Sequence, residues 1–243
     1  MLRLAPLLLG SVLLVSCSSP PVSGNPMTQE DFAQQREQMV ETQLESRDIQ
    51  SERVLEAMKK VPRHLFMPAS VRQYAYVDRP VPIGKGQTIS QPYIVGLMTQ
   101  TVVPKPGDRA LEVGTGSGYQ AAVLGELVKE VFSIEIIPDL AERAGKALSD
   151  LGYDNVEVRQ GDGYQGWPAK APFDIILITA APEEIPQPLI DQLAEGGRLV
   201  VPVGPQGEIQ TLTLVTREKG EVKKTYITDV RFVPMTGEVQ QSR

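Results

Sequence analysis

The chain has 243 residues but only one cysteine, Cys17, and one histidine, His64. A lone cysteine excludes a disulfide framework, and with a single histidine beside it the chain has neither the ligands of a zinc site nor a Cys/His nucleophile pair. No metal is expected for that reason. Positive charge is also short: 24 Lys and Arg face 30 Asp and Glu, a net charge of −6, so nothing suggests a broad basic footprint for nucleic acid. Internal repeats are absent. Apolar residues make up 41% of the chain, enough for one globular domain with a sizeable core, while the length is too small for two full ones.

The longest apolar run lies at the amino terminus: MLRLAPLLLGSVLLVSC, residues 1–17. A positive start at Arg3 and a run too short to span a bilayer comfortably give it the anatomy of a secretory signal. Its end, Leu14 to Cys17, resembles a bacterial lipobox, in which cleavage leaves Cys17 as a lipidated first residue. The Pro- and Ser-rich SSPPVSGNP would then be a flexible tether. Met27 offers a second reading, a chain that starts there without an anchor. Residues 1–26 are therefore set apart as leader and tether, and the location stays open between the cytoplasm and a lipid-anchored place in the bacterial envelope.

Beyond Met27 the pattern becomes helical. Thr28 and Asp31 resemble a capping box, and Phe32, Met39, Val40 and Leu44 recur at helical spacing. A second helix is predicted after Ser51, with Val54, Leu55, Met58 and Val61 inward and Pro62 as its stop. Residues 27–68 thus read as a helical cap. Prolines and glycines crowd residues 69–92, which predicts a long ordered loop without regular structure, and loops of that length usually carry function.

From there helices and strands alternate: a helix with Pro92 near its start, the strand RALEVG, the helix GYQAAVLGELV, the strand EVFSIEI and a helix from Pro138 to about Leu151. The strands NVEVRQ and FDIILITA, a helix QPLIDQLAE closed by Gly196, and the strand GRLVVPVG follow. Such alternation predicts an α/β fold with a doubly wound, mainly parallel sheet of seven strands. An antiparallel hairpin finishes it, with QTLTLVTREK and KTYITDVRFVPM flanking the turn EKGEVKK. On this reading 27–235 is a single domain, 93–235 its cofactor core, and 236–243 a tail.

The stretch LEVGTGSGYQ, residues 111–120, runs a strand into a glycine loop and a helix, which lets backbone amides approach a ligand. A dinucleotide loop has the spacing G-x-G-x-x-G. Here Gly114, Gly116 and Gly118 give G-x-G-x-G, and a carboxylate, Glu112, ends the strand just before them. A negative charge is unfavourable beside a pyrophosphate and favourable beside an ammonium and a sulfonium. Glu135 ends the next strand, where it can accept hydrogen bonds from both ribose hydroxyls. Asp162, in the GDG after the third strand, is placed to meet an exocyclic adenine amine. Carboxylates at three successive strand ends favour S-adenosylmethionine over NAD. The predicted cofactor-binding set is Glu112, Gly114, Thr115, Gly116, Gly118, Glu135, Asp162 and Gly163.

LEVGTGSGYQAAVL, GDGYQGW, PFDIILITAA and GGRLVVPVG, with VPRHLFMP and PIGKGQTISQPYIV outside the cofactor core, resemble the protein-L-isoaspartate O-methyltransferases from about Met27 to Phe232. The resemblance implies methyl transfer from S-adenosylmethionine to the α-carboxyl freed when an Asn or Asp residue rearranges to an isoaspartyl linkage, the step that initiates repair of damaged proteins and peptides. A carboxylate is ionised at neutral pH and attacks without a general base, so alignment and exclusion of water carry the catalysis. By resemblance Ser90, in TISQP, is the catalytic group that donates to the substrate carboxylate, with Thr88 as a substrate-binding neighbour. Ser90 also precedes Pro92, where a hydroxyl often bonds only helix amides. The resemblance further implies a monomer, and main-chain groups of VRFVPM that hold the substrate peptide as an added strand. His64, Tyr164 and Trp167 read as packing residues.

Other readings fit parts of the chain. They are a small-molecule methyltransferase on the same fold, a hydride-transferring dehydrogenase, and an envelope lipoprotein whose domain has become a peptide-binding module. Nucleic-acid methylation is disfavoured by charge and by the end of the fourth strand, TAAPEE, which lacks the Asn/Asp-Pro-Pro-aromatic sequence of many amino-methylating enzymes.

Overall fold

The computed structural model describes residues 27–237, so the leader with Cys17 and the end of the tail lie outside the described residues. α1 (Gln29–Met39) opens with the predicted capping box: Thr28 Oγ1 accepts from the Asp31 amide at 3.2 Å, and the Asp31 carboxylate accepts from the Thr28 amide at 2.8 Å. The chain then widens into a π turn, Val40–Glu45, which keeps Leu44 on the buried side with Met39 and Val40. α2 (Glu52–Lys60) buries Val54, Leu55 and Met58 and stops ahead of Pro62, whose ring cannot continue a helix.

Residues 69–92 are more regular than their prolines suggest, which corrects the loop reading. A 3-10 segment, Ala69–Tyr74, leads to a hairpin of β1 (Val81–Gly84) and β2 (Gln87–Ile89), with Val81 opposite Ile89 and Pro82 opposite Thr88. Proline is tolerated because a two-stranded ribbon leaves it on an exposed edge, while Val81, Ile83 and Ile89 turn into the core. Lys85 and Gly86, at φ 56° and 73°, form the two-residue turn that hairpins favour.

After α3 (Pro92–Thr101) come β3 (Arg109–Val113), α4 (Tyr119–Gly125), β4 (Glu130–Glu135), α5 (Pro138–Asp150), β5 (Val156–Gln160), β6 (Phe173–Ile178), α6 (Gln187–Asp191), β7 (Leu193–Val203), β8 (Gln210–Glu218) and β9 (Glu221–Val230). The last seven strands form one sheet in the order β5-β4-β3-β6-β7-β8-β9, parallel from β5 through β7, with β8 antiparallel to both neighbours. Side-chain alternation feeds both faces. Ala110, Val131, Ile175 and Val200 join a core containing residues of α1 to α5, while Leu111, Phe132, Ile176 and Leu199 join a second around Trp167 and Leu189. Each large aliphatic buried this way contributes about 1.5–3 kcal/mol, which makes this sheet a rigid platform for the loops at its carboxyl edge.

Two boundaries differ from the sequence expectation. α6 ends at Asp191 instead of running to Gly196, because Leu193 pairs with Phe173 and starts β7: strand pairing overrides a helical spacing. In the final hairpin the turn is Lys219–Gly220 alone, both at positive φ, so Val222 to Lys224 belong to β9 and RFVPM leaves the sheet. That segment crosses the end of β6, where the Val233 carbonyl accepts from the Ala181 amide at 2.8 Å and the Met235 amide donates to the Ala181 carbonyl at 2.9 Å.

Candidate active site

β3 pairs with β4 on one side and β6 on the other, so the connections leaving their carboxyl ends diverge and open a crevice, the place where open α/β sheets bind ligands. The glycine loop lies there. Gly114 has φ 99°, and a Cβ on it would sit 2.6 Å from Thr179 Oγ1, which donates to the Gly114 carbonyl at 2.7 Å; only glycine serves at that position. Glu135 Oε2 accepts from the Gly116 amide at 2.7 Å and Oε1 from the Ile137 amide at 2.9 Å, which ties the loop after β3 to the loop after β4.

Glu112 is fully buried. Its Oε2 accepts from Ser133 Oγ at 2.5 Å, Ser133 Oγ is bonded in turn to Thr115 Oγ1 at 2.5 Å, and Oε1 has no hydrogen-bond partner. Burial pushes the Glu112 pKa up to about 8; the Ser133 hydrogen bond works against the rise and the Glu135 charge adds to it. A buried acceptor left unpaired costs about 1–3 kcal/mol. A cationic ligand placed against it would recover that cost.

Two cavities meet beside the loop. The first is a narrow cleft of about 80 Å³, lined by Glu112, Gly114, Thr115, Gly116, Glu135 and Gly163 together with Thr88, Ser90 and Thr179. One wall is the β2 strand of the β1–β2 hairpin, which is clasped to α5 by a bond from Arg143 Nη2 to the Ile83 carbonyl at 2.9 Å and by the Lys85–Asp139 ion pair. The second is a groove of about 680 Å³ whose walls include Ile94, Ile209, Asp229, Arg231 and Phe232. Thr88, Ser90 and Thr179 line both cavities.

Two of the predicted residues stand back from the cleft. Gly118 opens α4 beside Ala144 of α5. Asp162 Oδ1 accepts from the Tyr164 amide at 2.9 Å and caps a 3-10 turn, Gly163–Gln165; its neighbour Gly163 lines the cleft, packed so tightly on Val113 that a Cβ would overlap it. Thr179 and Ser133 were not anticipated. The available signal for Thr179 was a hydroxyl at the carboxyl end of β6, across the crevice from Gly114. His64 and Trp167 pack as expected: His64 stacks on Phe32 with centroids 4.1 Å apart and bonds Tyr76 Oη at 2.8 Å, its pKa held down to about 4 by burial, while Trp167 lies edge-on to Phe132.

This doubly wound sheet, with an acid-flanked glycine loop at its switch point, places the chain in the class of nucleotide-cofactor methyltransferases. The donor set fits S-adenosylmethionine: an unpaired buried carboxyl oxygen that a cation can ionise suits an ammonium or sulfonium and offers a pyrophosphate no positive partner. A family model of protein-L-isoaspartate(D-aspartate) O-methyltransferases matches residues 34–240. Relatives named protein-L-isoaspartate O-methyltransferase include one from Gloeobacter violaceus, 57% identical over 203 residues that span 84% of this chain and 99% of the relative, and one from Opitutus terrae, 57% identical over 204 residues that span 84% and 88%.

Among solved structures, a protein-L-isoaspartate O-methyltransferase aligns with a TM-score of 0.76 at 30% identity over 84% of this chain and 67% of its own. Another, from Plasmodium falciparum and in complex with S-adenosyl-L-homocysteine, aligns at 0.73 and 28% over 83% and 98%. The chain belongs to the protein-L-isoaspartate O-methyltransferase family, as its motifs led us to expect.

Proposed function

We propose that the protein transfers a methyl group from S-adenosylmethionine to the free α-carboxyl of L-isoaspartyl residues in damaged proteins and peptides, initiating their repair. The observation that supports this reading is the wall of Thr88, Ser90 and Thr179 shared by cleft and groove, so that a methyl donor bound in one and an acceptor bound in the other would be within reach of the same hydroxyls. S-adenosylmethionine, when bound, supplies an electrophilic methyl group on a sulfonium. Glu112 Oε1 would accept its ammonium and Glu135 its ribose hydroxyls, with Gly114, Thr115 and Gly116 along the loop, Gly118 supporting it from α4, and Asp162 and Gly163 at the adenine end.

On the groove side, Ser90 Oγ donates to the substrate carboxylate and Thr88 steadies it. The substrate peptide lies along VRFVPM, residues 230–235, as an added strand, so main-chain contacts contribute to its binding. The carboxylate is ionised at neutral pH and needs no base; the chain's task is to orient it and keep water out. The enzyme works as a monomer without a metal, with 27–68 as cap, 69–92 as substrate segment, 93–235 as cofactor core and 236–243 as tail.

It acts in the cytoplasm, where the cofactor is supplied. A form anchored through Cys17 is the alternative, and mass spectrometry of the mature amino terminus separates the two. The test of function is methyl transfer to paired peptides that differ only in isoaspartyl or aspartyl linkage. Labelling confined to the isoaspartyl peptide is expected, and equal labelling of both overturns the proposal.

A further inference from the structure

We propose that Arg63 is a positioning residue for this reaction: a buried, unpaired cation that holds the Ser90 segment from behind and draws the substrate's α-carboxylate toward it. Arg63 opens a 3-10 turn, Arg63–Phe66, just after α2, and it is wholly buried. Nε donates to the Ala75 carbonyl at 2.7 Å and Nη2 to the Ser90 carbonyl at 2.6 Å, while Nη1 has no partner. The guanidinium also lies over the ring of Tyr119, 4.8 Å from its centroid, and Tyr119 lines the cofactor cleft. One side chain thus touches the backbone of Ser90 and the wall of the cleft.

Among the described residues the charge has no counter-ion in contact: no carboxylate lies within ion-pair distance of Arg63, and Asp78, the acid that acts on it through space, is engaged by Arg47 at 3.2 Å and by the Tyr93 amide at 3.4 Å. Burial lowers the Arg63 pKa to about 10, which leaves it protonated at neutral pH. Burying a guanidinium against two carbonyl dipoles and a ring face is costly, because these solvate the charge without neutralising it. The missing negative charge is the one the substrate brings. In low dielectric the attraction is only weakly screened, so it acts on the carboxylate without direct contact. A second cation at the groove, Arg231, is exposed, and its attraction fades with salt.

The inference rests on the groove being the isoaspartyl site, and its test uses binding so that it does not depend on turnover. Two isoaspartyl peptides, one with a free α-carboxyl and one with that group amidated, are titrated by calorimetry into protein saturated with S-adenosylhomocysteine. The wild type should favour the free carboxylate; Arg63→Met and Arg63→Gln should lose roughly tenfold of that preference, and Arg63→Lys should keep most of it, each variant being titrated at its own saturating S-adenosylhomocysteine.

A folded neutral variant that retains the wild-type preference, or loses affinity for both peptides equally, overturns the proposal. Should neither neutral variant fold, the wild type decides: a preference that persists from about 0.05 to about 0.5 M salt supports a buried cation, and one that vanishes assigns the attraction to Arg231 and overturns it. Failure of the functional reading looks different: the wild type then methylates aspartyl and isoaspartyl peptides alike, whatever the carboxylate preference in binding.

Discussion

On the cleft side of the Thr88–Ser90 wall the buried ionisable groups are carboxyl groups at strand ends, Glu112 held by the Ser133 hydroxyl and Glu135 by two main-chain amides. Behind Ser90, against the Tyr119 ring, the buried charge is a guanidinium, Arg63, held by two carbonyls. The carboxyl groups suit the cleft to a cation, and Arg63, behind the Ser90 segment that cleft and groove share, favours an anion held at Ser90. A cationic methyl donor and an anionic acceptor are each attracted to their own side, and neither side has to supply a catalytic base.

The comparison breaks most severely at Gly114. Its Val variant combines a positive φ with a Cβ driven into Thr179, which should cost about 2–4 kcal/mol of stability and abolish binding of S-adenosylhomocysteine in calorimetry. Next, Glu135→Ala should weaken cofactor affinity about 10–100-fold, the worth of a charge-assisted hydrogen bond or two, and leave the kcat at saturating cofactor much less changed. Ser90→Ala should act mainly on the other side: kcat/KM for an isoaspartyl peptide falls about tenfold, the equivalent of one hydrogen bond, with a smaller effect on cofactor affinity. A Ser90 variant whose main loss is cofactor affinity, or a Glu135 variant that keeps it, removes the division of labour.

The smallest effect is one of pH. The folded-state pKa of Glu112, about 8, is raised above its ordinary 4.5, so its contribution to the stability of the free protein is complete below 4.5 and is lost as pH rises through about 8. His64, depressed from 6.5 to about 4, works in the opposite sense between those values, which leaves 6.5 to 8 as the informative window. There the melting temperature of the wild type should drift down with pH, and that of Glu112→Gln should drift less. An ammonium favours the ionised carboxylate, so cofactor binding near pH 7 should release a proton in the wild type and none in Glu112→Gln, as read by calorimetry in buffers of different ionisation enthalpy.

Features governed by a few adjacent residues were legible before any coordinates. The capping box at Thr28, the helix start at Pro92, and the run of β3 into the Gly114–Gly118 loop with its flanking Glu112 need only the chain's own local geometry. Glu135 was legible for the same reason, as the last residue of an apolar strand. The hairpin at 81–89 was hidden because proline and glycine mark turns, and only its pairing shows that β1 and β2 form a ribbon. The shortened α6 was hidden because QPLIDQLAE satisfies a helical period until Leu193 meets Phe173.

The sequence by itself determined the α/β alternation, the sulfonium-compatible glycine loop and the carboxyl groups at the ends of β3 and β4, because each is written in one continuous segment. Tertiary structure decided that Thr179 faces Gly114 across the crevice, that Thr88 and Ser90 stand between cleft and groove, and that Arg63 reaches the carbonyl of Ser90. Those relations join residues tens of positions apart, and they exist only once strand order and packing have set the distances between them.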